Sequence, residues 1–121
     1  MAEKPIFWVG SSLEDLRAFL EDARRAAGHQ LHLIQHGLEP HDRKPMPSVG
    51  PGVYEIRIHS RLEHRVFYVA KYPEAVYILH GFEKKTRRTE QRDIYLAKHR
   101  LAQVMKHREN IRGRNRKGEP S

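Results

Sequence analysis

The chain has 121 residues, the length of one domain, with 38% hydrophobic and 31% charged residues and a formal net charge of +8. That supply of apolar side chains fills one modest core, and no apolar run approaches the roughly 18–20 residues of a membrane-spanning helix. The absence of cysteine excludes a disulfide framework, a zinc–thiolate site and a thiol nucleophile, and an N-terminus without a leader pattern adds the expectation of a cytoplasmic protein.

Residues 5–9 (Pro-Ile-Phe-Trp-Val) are short, apolar and aromatic, and read as a strand. Ser11 and Ser12 each precede an acid by three residues (Glu14, Asp15), the pattern of a capping box. Leu13, Leu16, Phe19, Leu20 and Ala23 recur at helical spacing and predict a helix that stops at Gly28. A second, shorter helix is predicted from His29 to Gly37, with Leu31, Ile34 and Leu38 on one side and His29, His32 and His36 on the other. Three histidines on one face suit a metal, and a solvated polar face has the same pattern. No acid or cysteine nearby completes a site, so the polar face is the reading adopted and no metal is expected.

Residues 39–52 hold four prolines (Pro40, Pro45, Pro47, Pro51) and two glycines (Gly50, Gly52), which predicts a loop. Residues 53–58 then alternate, with Tyr54, Ile56 and Ile58 on one face and Glu55, Arg57 and His59 continuing the other. A polar turn, a strand over 64–70, a turn at Tyr72–Glu74 and a strand over 75–82 follow. The last strand is apolar on both faces and so reads as central. Short connections make these three strands an antiparallel meander. A helix from about Thr89 places Ile94, Leu101, Val104 and Met105 on one side. The expected fold is α+β. A small antiparallel sheet, an N-terminal strand plus the meander, packs against two N-terminal helices and one C-terminal helix. The domain is expected to span 1–111, with a basic, disordered tail over 112–121.

Charge is unevenly placed. From Lys84 to Lys117 thirteen lysines and arginines face three acids, a local balance of +10, so the rest of the chain sums to −2. Such a block suits phosphate groups of a nucleic acid, or an acidic protein that covers the same patch. Arg57 and Arg65 fall on adjacent strands across a short turn, and Lys84, Lys85, Arg87 and Arg88 follow the last strand. Together they predict a cationic cleft able to position a phosphodiester and stabilise charge on a pentacovalent transition state. His59, His64, His80 and Tyr95 are proton-transfer candidates. The same residues have plainer uses: strand arginines pair with carboxylates such as Glu55 or Glu63, His80 serves as a hydrogen-bonded core residue, and a basic helix is a solvated face. There is no Walker-type loop, GxSxG, HExxH or clustered carboxylate pair, so metal-dependent nuclease chemistry and a cofactor are not expected. A nuclease of this composition would use the RNA 2′-hydroxyl as nucleophile.

The segments Gly37-Leu-Glu-Pro40, Lys44-Pro-Met-Pro-Ser-Val-Gly50, Gly52-Val-Tyr-Glu-Ile-Arg57, Arg65-Val-Phe-Tyr-Val-Ala-Lys71 and Leu79-His-Gly-Phe-Glu-Lys-Lys-Thr-Arg-Arg-Thr89 occur in that order. In this series the chain resembles the RelE/HigB superfamily of toxins from type II toxin–antitoxin systems, and most of all its phage-derived HigB-like branch, over about residues 5–108. The resemblance implies a RelE-like fold and an mRNA interferase that cuts messages engaged on the ribosome, leaving a 2′,3′-cyclic phosphate and a 5′-hydroxyl. It implies that Arg57 and Arg65 bind or polarise the scissile phosphate, that Lys84 and Lys85 hold the RNA backbone or stabilise the transition state, and that Tyr95 or a histidine moves protons. Arg87, Arg88, Arg92, His59 and His80 complete the implied RNA-binding set. The implied partners are mRNA and a cognate helix-turn-helix antitoxin, with no membrane. Two alternatives stay open: a ParE-like gyrase-inhibiting toxin, which shares the scaffold without the basic set, and a non-catalytic RNA-binding or phage accessory protein.

Overall fold

A computed structural model of the protein describes residues 3–118, with side chains through Gly113. In chain order it holds β1 (Ile6–Trp8), α1 (Ser12–Arg17), α2 (Glu21–Gln35), β2 (Arg43–Pro45), β3 (Val53–His59), β4 (Glu63–Val69), β5 (Val76–Glu83) and α3 (Gln91–Gly118). The strands form one sheet in the order β1-β5-β4-β3-β2. The fold is α+β, and β3, β4 and β5 are the expected antiparallel meander.

Strand alternation sends side chains to two cores. Ile56, Ile58, Val66, Tyr68, Val76 and Ile78 meet Leu16, Phe19, Ala23, Ala27, Leu31 and Ile34 of α1 and α2. On the other face Val53, Phe67, Val69, Tyr77 and Leu79 meet Ile94, Ala97 and Val104 of α3, with Met46 and Val49 of the Pro-rich segment closing that side. Each fully buried side chain of this kind contributes roughly 1.5–3 kcal/mol, so both helical layers are held mainly by apolar contact. β4 lies at the centre and β5 beside it, which accounts for their nearly continuous burial.

Several boundaries depart from the sequence-based expectation. β1 pairs with β5 in parallel, Ile6 opposite Val76, so the sheet is mixed and not wholly antiparallel. The first helix breaks at Leu20, whose extended backbone (ψ 149°) separates α1 from α2. That break lets α1 lie over β5 while α2 lies over β3. Gly28 does not stop a helix. It sits exposed inside α2, where its cost of about 1 kcal/mol relative to alanine is outweighed by the burial of Ala27, Leu31 and Ile34. The two helices predicted on either side of Gly28 are therefore one. Ser11 makes no side-chain cap bond, and Asp15 is used in a tertiary contact. The Pro-rich segment carries a short edge strand, β2, where Pro45 is tolerated on the sheet's edge. On α3, Met105 is exposed and the buried stripe includes Ala97 and Arg100. The helix continues through Gly118, past the predicted boundary at residue 111. Residues 119–121 of the predicted tail lie outside the described residues. No described helix is long and apolar enough to cross a membrane.

One irregularity governs the end of β5. Phe67 pairs with His80 but Tyr68 pairs with Ile78, leaving Leu79 as an extra residue. This β-bulge reverses the alternation beyond it. Tyr77 and Leu79 face α3, and after the bulge His80 and Phe82 also pack beside Phe67 on that side. Gly81 then faces α1, where a Cβ would stand 2.5 Å from Leu16 Cδ1, so α1 approaches as closely as it does only over a glycine. The bulge is clamped by Arg100 of α3. Its Nη1 donates to the Leu79 carbonyl at 2.7 Å and lies 3.4 Å from Asp15 Oδ2, and its Nη2 donates to Ser11 Oγ at 2.7 Å. Gly10, at φ +56°, passes so close that a Cβ there would lie 2.8 Å from Arg100 Nε. Replacing Arg100 with leucine leaves the Leu79 carbonyl without this donor, and is expected to lower the unfolding free energy by about 2–3 kcal/mol. Urea denaturation measures this, and an unchanged midpoint would mean that the bulge does not depend on the clamp.

Candidate nucleic-acid interface

The register of β3, β4 and β5 assembles the site. Arg57 and Arg65 are direct cross-strand partners, and Arg65 stands opposite Phe82 on its other side. Two like charges directly opposed destabilise a sheet. The compensating group is Glu55, two residues before Arg57 on the same face. Its Oε1 lies 3.5 Å from Arg57 Nε and 3.6 Å from Arg65 Nε. Arg65 also reaches Glu63 Oε1 with Nη1 and Nη2 at 3.1 Å and donates to the His64 carbonyl at 3.0 Å. At 3.6 Å its Nε is within ion-pair reach of Glu55 but is not hydrogen-bonded, and Glu55 Oε2 is buried without a partner. Exposure separates the two arginines: the Arg57 side chain is 34% exposed, that of Arg65 only 7% and that of Glu55 3%. The expected convergence of the arginines is present, and so is the expected pairing with carboxylates.

His59 extends this face to the sheet's edge. Its Nε2 lies 2.7 Å from Asp42 Oδ2 and its Nδ1 2.8 Å from Glu63 Oε1, the oxygen that also accepts from Arg65. Hydrogen bonds to Asp42 and Glu63 hold the imidazole's pKa above its ordinary value. Burial pushes the Glu63 carboxyl up, but hydrogen bonds from His59 and Arg65 outweigh it and leave the pKa lowered.

The segment after β5 supplies the remaining cations. The Lys84 backbone N–H donates to the Glu63 carbonyl at 2.7 Å, which ties the segment to β4. Lys84, Lys85 and Arg92 line a shallow depression with Phe82, Glu90 and Asp93. Lys85 Nζ is 3.8 Å from Glu83, Arg92 Nε is 2.8 Å from Glu90, and Arg87 and Arg88 are exposed in the connecting loop.

Three other candidates sit elsewhere. His80 is buried and held at both ring nitrogens, Nε2 at 2.7 Å from Asp93 and Nδ1 at 3.3 Å from Asp15. It stacks on Phe82 at 5.0 Å between ring centroids, so it links α1, β5 and α3 rather than facing a ligand. His64 points to the opposite side of the sheet, its ring 4.5 Å from that of Phe19. Tyr95 is 64% exposed on the outer side of α3, with Lys98 Nζ 5.9 Å from its ring centroid, and no described contact joins it to the arginine pair. His29 and His32 are exposed on α2 and His36 at its C-terminal cap, and among the described residues no group of three or more His, Cys, Asp or Glu is placed to hold a metal.

The sequence matches the family model described as phage derived protein Gp49-like (DUF891) over residues 14–102, well over half of the chain. The chain belongs to the phage-derived Gp49-like family. This is a family of RelE-like, toxin-like proteins. A search of curated proteins finds no match. The matched span runs from α1 into α3 and so contains Arg57, Arg65, Glu55 and the whole cationic loop.

Sequence reasoning treated Glu55 as a neutralising neighbour and missed that one carboxylate serves both arginines. The signal was available: glutamate at 55 and arginine at 57 share a face by alternation. Phe82 and Asp93 were also missed, because the bulge that brings them together has no sequence signature.

Two outcomes follow from this geometry. Arg65→Ala removes a buried guanidinium with its bonds to Glu63 and the His64 carbonyl and leaves Glu55 with Arg57 alone, at an expected cost of about 3–5 kcal/mol of stability, whereas Arg57→Ala removes a partly exposed arginine and leaves Glu55 beside Arg65, at a cost of about 1–2 kcal/mol. Urea denaturation of both variants checks the order. The raised pKa of His59 means that its ion pairs contribute fully below its ordinary value of 6.5 and are lost as pH rises through the raised value. The lowered pKa of Glu63 contributes above its ordinary 4.5 and is lost as pH falls through the lowered value. Between those ordinary values both contributions are present. Relative to His59→Gln, the wild type should therefore lose stability as the solution is made alkaline; parallel curves would show that the histidine contributes nothing.

Proposed function

We propose that the protein is the toxin of a type II toxin–antitoxin system of RelE/HigB type, and that it is a metal-independent endoribonuclease acting on mRNA, most readily on the ribosome. The observation that carries this reading is the Arg57–Arg65 cross-strand pair beside the Lys84–Arg92 cationic segment, in a chain of a RelE-like, toxin-like family. In the proposed reaction an RNA 2′-hydroxyl attacks the adjacent phosphorus and the bond to the 5′-oxygen breaks. The attacking hydroxyl gives up one proton and the leaving oxygen takes one, so a cyclic phosphate and a 5′-hydroxyl result without net proton change.

Each residue's role follows from its access. Arg57 is open enough to touch the phosphate and offset charge as it develops. Arg65, behind it and tied to Glu55 and Glu63, positions Arg57 and raises the local potential. His59, bonded at one ring nitrogen to Asp42 and at the other to Glu63, steadies the carboxylate that it shares with Arg65 and adds positive charge at the sheet's edge. Lys84, Lys85, Arg87, Arg88 and Arg92 hold the backbone. An acidic face of a helix-turn-helix antitoxin would cover the same cations, and the place of action would be the cytoplasm.

A second reading, RNA binding without cleavage, draws on the carboxylates that already engage Arg65. End-mapping of a message in a reconstituted translation reaction separates the two. Wild type should produce discrete cuts, and Arg57→Ala should reduce their rate by about 10²–10³-fold. Intact message with wild-type protein would remove the nuclease and leave the binding protein.

A further inference from the structure

Two depressions meet at the end of β5, and Phe82 and Glu83 line both. The first is the cationic one, with Lys84, Lys85 and Arg92. The second lies toward α1 and the β3–β4 turn and has a volume of about 320 Å³. Its walls are Phe19, Leu20, Leu62 and Phe82, and two of these, Leu20 at 36% and Leu62 at 44%, are among the exposed large apolar side chains of the protein. Its polar groups are Asp15, His64 and Glu83. Among the described residues no lysine, arginine, amide or hydroxyl side chain lines it.

The chemistry of this second groove is one-sided. Asp15 Oδ2 is already engaged by Arg100, His80 and the Gly81 N–H. Glu83 is the available acceptor, 31% exposed and no nearer than 3.8 Å to Lys85 Nζ. The Nδ1 of His64 faces the Leu62 carbonyl at 3.3 Å, so in the neutral ring that nitrogen carries the proton and Nε2 is a second acceptor. A groove with apolar side chains and acceptors on its walls, directly beside a cluster of lysines, has the division of a nucleotide into base and phosphate.

We propose, building on the RNA reading above, that this groove receives an unstacked RNA base with N–H donors on its edge, guanine above uracil, while Lys84 and Lys85 hold the attached phosphate. Guanine offers N1–H and N2–H side by side, a fork that one carboxylate can accept at both oxygens. Uracil offers a single N–H flanked by two carbonyl oxygens, which a carboxylate repels. The strand would cross the end of β5, with Phe82 as the shared wall between base and backbone.

The test uses binding, so that it does not depend on cleavage. Fluorescence anisotropy compares labelled, 2′-fluoro hexanucleotides, one all uridine and one with a single central guanosine, at fixed salt. The guanosine oligomer should bind about tenfold more tightly, at the lower end of what a two-pronged hydrogen-bonded pair discriminates. Glu83→Gln should abolish that difference without weakening the uridine oligomer. Leu62→Trp, which fills the groove and changes no charge, should abolish it too and leave the salt dependence intact. Equal affinities for the two oligomers with the wild-type protein overturn the groove assignment and leave the RNA reading standing. A preference that survives Leu62→Trp assigns the groove to another occupant, such as a protein side chain, and overturns it as well. Failure to bind either oligomer ends both the groove assignment and the RNA reading.

Discussion

The contact on which the rest of the molecule depends is the guanidinium of Arg100 against the bulge in β5. Burying a charged group costs several kcal/mol unless its hydrogen bonds are replaced, and an extra residue in a strand leaves a backbone carbonyl out of the ladder. Each problem meets the other. The Leu79 carbonyl, Ser11 and Asp15 satisfy the arginine, and the arginine satisfies the carbonyl. α1, β5 and α3 are thereby fixed at one point. Beyond that point the strand's alternation is reversed, so His80 and Phe82 join Phe67 on the α3 side. Without the extra residue they would face α1, where Gly81 now allows close approach, and the wall of the site would be missing.

From this anchor outward, charge is graded by exposure. Glu55 and Arg65 are inside, Arg57 is at the boundary, and His59, Lys85 and the loop arginines are in solvent. The inner pair costs desolvation and sets geometry, while the outer cations supply long-range attraction that salt screens. Glu63 links the two zones, since it accepts from both Arg65 and His59 and its backbone carbonyl accepts from Lys84.

Local patterns made much of this legible. Alternation and short turns gave away β3, β4 and β5, and with them the facing of Arg57 and Arg65, because register follows from a tight turn. What escaped was non-local. β1 could be seen as a strand, but its parallel pairing with β5 spans most of the chain and leaves no neighbouring signal. Leu20 continues a helical repeat in sequence, although its backbone breaks the helix, because the docking of α1 and α2 on different strands overrides local propensity. Asp15 resembled a capping acid for the same reason that made it useful elsewhere: a short carboxylate near a helix start can reach outward to Gly81 and Arg100 as easily as inward to its own backbone. His80 could be read as a hydrogen-bonded core residue from its apolar strand, as it is, but which groups hold it could not, because its two carboxylate partners come from distant helices.

The pairing of β1 with β5 also sets an order of events during synthesis. β1 is made well before its partner, Val76–Glu83, and the bulge that shapes β5 is clamped by a residue still farther along, Arg100. The meander can form from near neighbours, whereas closure against β1 carries the entropy of a long loop. β1 therefore works as a latch across a long loop, and the cationic end of the sheet takes its shape only once α3 has been made as far as Arg100.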